Sequence, residues 1–203
     1  MLSQIIVLMG IKHCGKSTQA RLLSKKFDCP SFDTDELIEK VSGQTPRQIY
    51  LAGGKQAFMQ AEYDACVELK SILQRLESPL NSTVKAIVAT GGGICDNDKA
   101  IELLKSLDST LVFLNAFERT AADRIVREIQ YLPDGTMQNL PAYISRKNPK
   151  DETDVRDIFH EFYQERKRLY RNICKISVDM KPVSKKKNLE FILQALGVSV
   201  SSI

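Results

Sequence analysis

Short unbroken apolar runs alternate along the chain with longer stretches in which apolar residues recur every three or four positions. The runs at 5–9, 86–89, 111–114 and 176–178 are too short for helices. Runs of that length read as strands buried on both faces, as in a parallel sheet. Phe32-Asp33-Thr34-Asp35 closes a shorter fifth strand. Helical spacing marks 17–27, 35–41, 45–51, 54–76, 98–107, 118–129, 154–173 and 187–196. Strands that alternate with helices require crossovers, and these cover both faces of the sheet. The predicted class is therefore α/β, a three-layer α/β/α fold around a parallel five-stranded sheet.

Between 131 and 153 this rhythm stops. Pro133, Asp134-Gly135, Asn139, Pro141, Asn148 and Pro149 crowd a segment of little periodicity, which reads as one long loop. Loops beyond about 12–15 residues within a compact domain are usually functional lids or disordered linkers, and this one lies inside the domain. A mobile lid is the expectation.

With 203 residues the chain has room for one domain with a sizeable core. Apolar residues at 43% and charged residues at 27% are those of an ordinary globular protein. The net charge of +4 is spread along the chain without the Lys/Arg stripe that a nucleic-acid backbone requires. Lys185-Lys186-Lys187, the one basic run, opens the last helix and reads as a solvated face. Cys14, Cys29, Cys66, Cys95 and Cys174 are scattered and form no CxxC pair, which disfavours disulfides and zinc and fits a reducing cytoplasm. The first apolar run stops at Gly10, too short for a membrane span or a signal peptide. A monomer acting on a small-molecule substrate, without membrane or nucleic-acid partner, is the expectation.

Gly10-Ile11-Lys12-His13-Cys14-Gly15-Lys16-Ser17 fits GxxxxGK[ST] between a buried strand and an amphipathic helix. That context makes it a P-loop, the hallmark of a P-loop NTPase fold. Glycines let the backbone curl until successive N–H groups converge on phosphate oxygens, and the helix adds its positive dipole end. Gly10, Lys12, Cys14, Gly15, Lys16, Ser17 and Thr18 are the candidate phosphate contacts for ATP. Lys16 would reach the outer phosphates and Ser17 would offer its hydroxyl to Mg2+. The side chains of His13 and Cys14 either tune the phosphate contacts or face solvent. No Asn-Lys-x-Asp guanine-reading motif is present, which argues against a GTPase. His13 and His160 are the only histidines, so no His-based triad or metal cluster is available.

On the acceptor side, the i, i+2 spacing of Asp33 and Asp35 on a strand sends both carboxylates to one face. One carboxylate can then support a magnesium-bound water while the other orients an attacking hydroxyl, although a plain helix N-cap is the competing reading. Gly91-Gly92-Gly93 follow the strand at 86–89 and present bare backbone at the carboxyl edge of the sheet, where open α/β folds bind ligands.

Five segments in this order carry a resemblance: Gly10 to Thr18, Asp33-Thr34-Asp35, Gly54-x3-Phe58-x3-Glu62, Ala89-Thr90-Gly91-Gly92-Gly93 and Glu165-Arg166-x2-Leu169-Tyr170. Together they resemble the shikimate kinase family, among the nucleoside-monophosphate-kinase-like P-loop proteins, over most of the chain. The resemblance implies ATP-dependent phosphorylation of shikimate to shikimate 3-phosphate, in aromatic amino acid biosynthesis. It implies that Lys16, Asp35 and Asp33 carry the chemistry, with Ser17 and Asp33 on the metal. Asp35, Gly91, Gly92 and Gly93 would contact substrate, Arg166 would grip its carboxylate, and Arg124 would lie near adenine.

Two positions depart from the family. Met59 stands where the family carries a substrate-cleft arginine, and Leu140-Pro141-Ala142-Tyr143 stands where its lid reads Arg-Pro-Leu-Leu. Arginine clamps a carboxylate through two parallel charge-assisted hydrogen bonds that methionine cannot imitate. Losing one member of such a buried pair costs about 2–5 kcal/mol, roughly 30- to several thousand-fold in affinity. Arg47, Lys55 or Arg168 would have to assist Arg166 with the carboxylate, and Arg127, Arg146 or Lys147 would have to serve the lid. Met59 as an ordinary core methionine remains open. So do a different polyol or hydroxy-acid acceptor and a non-catalytic ATP-binding module.

Overall fold

The computed structural model describes residues 3–77 and 84–198. Five parallel strands, β1 (Ile5–Met9), β2 (Ser31–Asp33), β3 (Ala86–Ala89), β4 (Ser109–Asn115) and β7 (Ile176–Asp179), form one sheet in the order β2-β3-β1-β4-β7. Every residue of β1 and β3 is buried, which is why both read as continuous apolar runs. The register sets Ile5 beside Ala86 on one side and Ser109 on the other. Because β1 lies at the centre, the loop leaving its carboxyl end opens over the middle of the sheet.

Helices α1 (Lys16–Phe27), α2 (Thr34–Ser42), α3 (Pro46–Arg75), α4 (Asp98–Ser106), α5 (Glu118–Arg127), α7 (Glu152–Ile173) and α8 (Lys185–Ala195) surround the sheet. The α/β class and the five-stranded parallel sheet stand as expected. Among the described residues, no helix is long and apolar enough to cross a membrane. All five cysteines are free thiols.

Several boundaries differ from expectation for local reasons. The segments 45–51 and 54–76 form one element, α3, broken only where Gly54 takes φ 70° and ψ −162°. Its start is fixed by a capping box in which the Thr45 hydroxyl accepts from the Gln48 amide and Gln48 Oε1 accepts from the Thr45 amide. Helix α7 begins two residues earlier than its apolar spacing indicates, because Asp151 Oδ1 accepts from the Asp154 amide as an N-cap.

The loop expected at 131–153 is not structureless. A two-stranded antiparallel ribbon, β5 (Gln130–Tyr131) with β6 (Met137–Gln138), turns at Gly135 with φ 83°, and the short helix α6 (Ala142–Ser145) follows. Tyr143 of α6 stacks on Phe162 of α7 at 3.7 Å between centroids, which anchors this segment to the body. Stacking of two aromatic side chains supplies burial that no periodic pattern announces.

Candidate active site

The loop between β1 and α1 curls through three left-handed residues, Gly10 (φ 147°), His13 (φ 66°) and Gly15 (φ 95°). Lys16 opens α1 and folds back so that Nζ donates to the carbonyls of Gly10 at 2.8 Å and Ile11 at 2.9 Å. Its side chain closes a ring of backbone that would otherwise be open, which is the shape of a phosphate cradle. A Cβ on Gly10 would lie 2.7 Å from the Leu114 carbonyl oxygen, so only glycine lets the loop pass the end of β4.

His13 and Cys14 do not simply face solvent. Cys14 is buried under the loop against Gly10, and its amide donates to the Ile11 carbonyl at 3.3 Å. His13 is half-buried with Nε2 3.4 Å from a Glu128 carboxylate oxygen. Burial lowers the His13 pKa, against the pull of Glu128, so at pH 7 the ring is neutral and the contact is not an ion pair.

Asp33 and Asp35 converge, but not as two strand positions. Strand β2 ends at Asp33 and α2 begins at Thr34, so Asp35 belongs to a first helical turn. Asp33 fulfils the N-cap reading and makes one further contact. Its Oδ1 caps α2 by accepting from the Asp35 amide at 3.0 Å, and its Oδ2 accepts from the Ser17 hydroxyl at 2.8 Å. Burial, then the charge of Asp33, raises the Asp35 pKa, while Lys16 opposes the shift.

The glycine turn after β3 faces both halves of the site. A Cβ on Gly91 would stand 2.8 Å from Asp35 Oδ1 and 3.3 Å from Glu62 Oε1, and one on Gly92 would stand 2.8 Å from the Lys12 amide nitrogen. Bare backbone is therefore required where the turn meets two carboxylates and the phosphate loop. The Gly91 amide donates to Thr34 Oγ1 at 2.9 Å, and Tyr170 donates from its hydroxyl to the Gly92 carbonyl at 3.0 Å. Phe113 of β4 stacks on Tyr170 at 5.1 Å, so sheet, α7 and turn are held as one block.

Glu62, from the Gly54-x3-Phe58-x3-Glu62 segment, meets the same turn beside Asp35. It is 1% exposed, its Oε2 accepts from Asn97 Nδ2 at 3.0 Å, and its Oε1 has no partner. Burial pushes its pKa up to about 7; the Asn97 bond opposes this, and Asp35 and Asp96 add to it. Asn97 also donates to the Met59 carbonyl at 2.7 Å, tying α3 to the start of α4. The side chain of Met59 is half-buried in α3.

Arg166 is already engaged. Nη1 donates to Cys95 Sγ at 2.8 Å and Nη2 to Asp96 Oδ2 at 2.5 Å, while Nε is buried without a partner. The guanidinium also lies 4.7 Å from the centre of the Phe162 ring. Burial works against its charge, but Cys95 and Asp96 outweigh that and raise its pKa. Of the other cations considered for this end, Lys55 is drawn in, with Nζ 3.3 Å from the same Asp96 oxygen. Two of the three candidate lid cations are engaged elsewhere. Arg146 sits over the Tyr50 ring at 4.6 Å and Lys147 pairs with Glu161 at 2.6 Å.

Beside the phosphate loop runs a cleft of about 420 Å³ lined by Gly15, Thr18, Phe117, Thr120, Arg124 and Pro182 among others. Arg124 Nη1 donates to the His13 carbonyl, which fixes the guanidinium at the cleft wall. Phe117 is 58% exposed there, an unusual position for a large aromatic in a folded domain and one suited to stacking on a planar ring. A cradle, a hydroxyl–carboxylate pair at its edge and an adjoining cleft with an exposed ring fit a nucleotide with its magnesium ion.

A parallel sheet whose first strand delivers a phosphate loop, with buried carboxylates gathered at the same edge, fits a P-loop phosphotransferase for small molecules. The profile of the family described as shikimate kinase matches residues 12–197. This chain belongs to the shikimate kinase family and is a small-molecule kinase that uses ATP as phosphate donor. The shikimate kinase of Lactococcus lactis is 27% identical over 194 residues, 96% of this chain and 99% of that one. That of Microcystis aeruginosa is 36% identical over 89 residues, 44% of this chain and 41% of that protein. A shikimate kinase from Acinetobacter baumannii, solved in complex with shikimate, superposes with a TM-score of 0.70 at 24% identity, covering 96% of this chain and 92% of that one. At that identity the superposition bears on the fold alone.

Proposed function

We propose that this enzyme transfers the terminal phosphoryl group of ATP to a hydroxyl of shikimate, with Asp35 orienting that hydroxyl. One observation carries the reading: Gly91 abuts the Asp35 carboxylate while its neighbour Gly92 abuts the Lys12 amide, so acceptor carboxylate and phosphate loop meet across a single turn. Family membership favours shikimate as the acceptor.

The roles follow from position. Backbone N–H groups from Gly10 to Thr18, with Lys12, Cys14 and Gly15 among them, bind phosphate oxygens, and Lys16 leaves the Gly10 and Ile11 carbonyls to neutralise them. Arg124 and Phe117 hold the adenine end in the cleft. Ser17 and Asp33, already 2.8 Å apart, are the metal-side pair. When bound, the nucleotide supplies the phosphoryl group and magnesium neutralises the charge that develops on it.

Asp35 accepts the hydrogen bond of the attacking hydroxyl, and its raised pKa makes it a better proton acceptor than an ordinary aspartate. Gly91, Gly92 and Gly93 allow the acceptor ring to approach the backbone. Arg166 is the cation available to an acceptor carboxylate, assisted by Lys55 rather than by a residue at position 59.

A second reading, an acceptor without a carboxylate, is favoured by Met59 in the arginine position and by the commitment of Arg166 to Asp96. Coupled measurement of ADP release with shikimate and with neutral ring polyols separates the two. Turnover of shikimate that disappears in Lys16→Ala supports the first reading. Turnover of a neutral polyol alone supports the second, and no turnover with any acceptor refutes both.

A further inference from the structure

Arg166 and Lys55 lie far apart in sequence, on α7 and α3, yet both point their cationic groups at one oxygen, Asp96 Oδ2. Two cations gathered around a single carboxylate oxygen form a ready-made carboxylate subsite, and here the occupant comes from within the chain. Asp96 ends a short 3₁₀ turn (Ile94–Asp96) directly after the glycine turn, with its amide donating to the Gly93 carbonyl at 3.0 Å. Its side chain is thereby held beside the glycine turn, close enough to Glu62 to act on its charge.

We propose that Asp96 is a specificity-determining residue that occupies the Arg166–Lys55 subsite and so disfavours acceptors bearing a carboxylate. This rests on the reading of the cleft as an acceptor site, and adds what decides between charged and neutral acceptors. The Arg166 side chain is only 12% exposed and both of its terminal nitrogens are bonded, one to Cys95 and one to Asp96. An incoming carboxylate has to displace Asp96 to obtain a two-pronged contact. Glu62 and Asp35 stand on the other side of the same turn, so with Asp96 seated on the two cations the region offers an anion little surplus of positive charge. A neutral acceptor does not compete for the subsite and incurs none of this cost.

The test compares steady-state kinetics with shikimate and with its uncharged methyl ester in the wild type, Asp96→Asn and Asp96→Ser, each checked for folding by thermal melting. In both variants the KM for shikimate falls about tenfold relative to the KM for the ester, with kcat for shikimate within about twofold of wild type. An unchanged ratio overturns the proposal. So does a KM for shikimate that rises, which would mean that Asp96 orients Arg166 for the substrate instead of competing with it. If no form turns shikimate over, shikimate as the acceptor has failed, and calorimetric titration of shikimate into the ADP-saturated protein decides separately. Tighter binding in Asp96→Asn than in wild type upholds competition by Asp96; equal binding, or none in either, overturns it.

Discussion

Replacing Glu62 with glutamine isolates the energetic cost of the acceptor cleft. Glu62 is buried, one of its oxygens has no partner, and its pKa lies at about 7 against an ordinary 4.5. Between those values the folded chain holds a proton that the unfolded chain has released. Stability contributed by this group is complete below pH 4.5 and is lost as pH rises through 7. At 1.36 kcal/mol per pH unit the loss is about 3 kcal/mol. Glutamine mimics the protonated acid: its carbonyl accepts from Asn97 and its amide takes the place of the O–H, with nothing left to ionise.

The gap between Glu62→Gln and wild type should therefore open in favour of the variant, by about 3 kcal/mol from pH 4.5 to pH 8. Urea unfolding of both proteins across that range measures it, and taking the difference cancels every titration the two share. A difference independent of pH would refute the argument, because the buried carboxyl would then have found a partner. A gap that opens in favour of wild type would show the opposite sign, a carboxylate stabilised in the fold.

Other substitutions divide the site into its parts. Lys16→Ala removes the ammonium that caps the phosphate loop, and phosphoryl transfer should fall at least about 100-fold in a coupled ADP assay, with weakened nucleotide binding. Asp35→Asn should lower kcat by about 100-fold or more while nucleotide Kd stays within about twofold by calorimetry; equal loss of nucleotide affinity would contradict its acceptor-side role. Met59→Arg places a cation one helical turn from Glu62 in α3, so the Glu62 pKa should fall and the pH dependence of stability flatten. The same variant should lower the KM for shikimate about tenfold, and unchanged kinetics would remove position 59 from substrate selection.

The sheet and the phosphate loop were legible because their signals are local. A buried strand, two glycines, Lys16, Ser17 and an amphipathic helix all fall within 23 residues of each other, from Ile5 to Phe27. Asp33 and Asp35 do lie near one another, but by a different geometry, since an N-cap at Asp33 ends β2 two residues short of Asp35, which the alternation argument needs the strand to reach. Apolar periodicity could not reveal the ribbon and α6 in the segment after α5, because these hold by isolated contacts, the Tyr143–Phe162 stack and the buried Ile144 among them. Glu62 offered a weak signal, an acid on the buried face of a long helix. Asp96 offered none, for its partner lies 70 residues away and its significance exists only where α7 crosses the glycine turn.

Those two acids and Met59 bear on a single question of charge. The phosphate half keeps the glycine loop, Lys16, and the Ser17 hydroxyl bonded to the Asp33 carboxylate. The half of the site proposed for the acceptor carries methionine where an arginine is expected from the family, an aspartate seated on the remaining guanidinium, and Glu62, which the chain shares with the family motif. The first two make that end less positive, and both act there without disturbing the phosphate loop, because the turn at Gly91–Gly93 separates the two halves. A change in acceptor charge would thus act at positions 59 and 96 with the phosphate loop left in place, and single substitutions there that raise carboxylate affinity would show which of the two carries it.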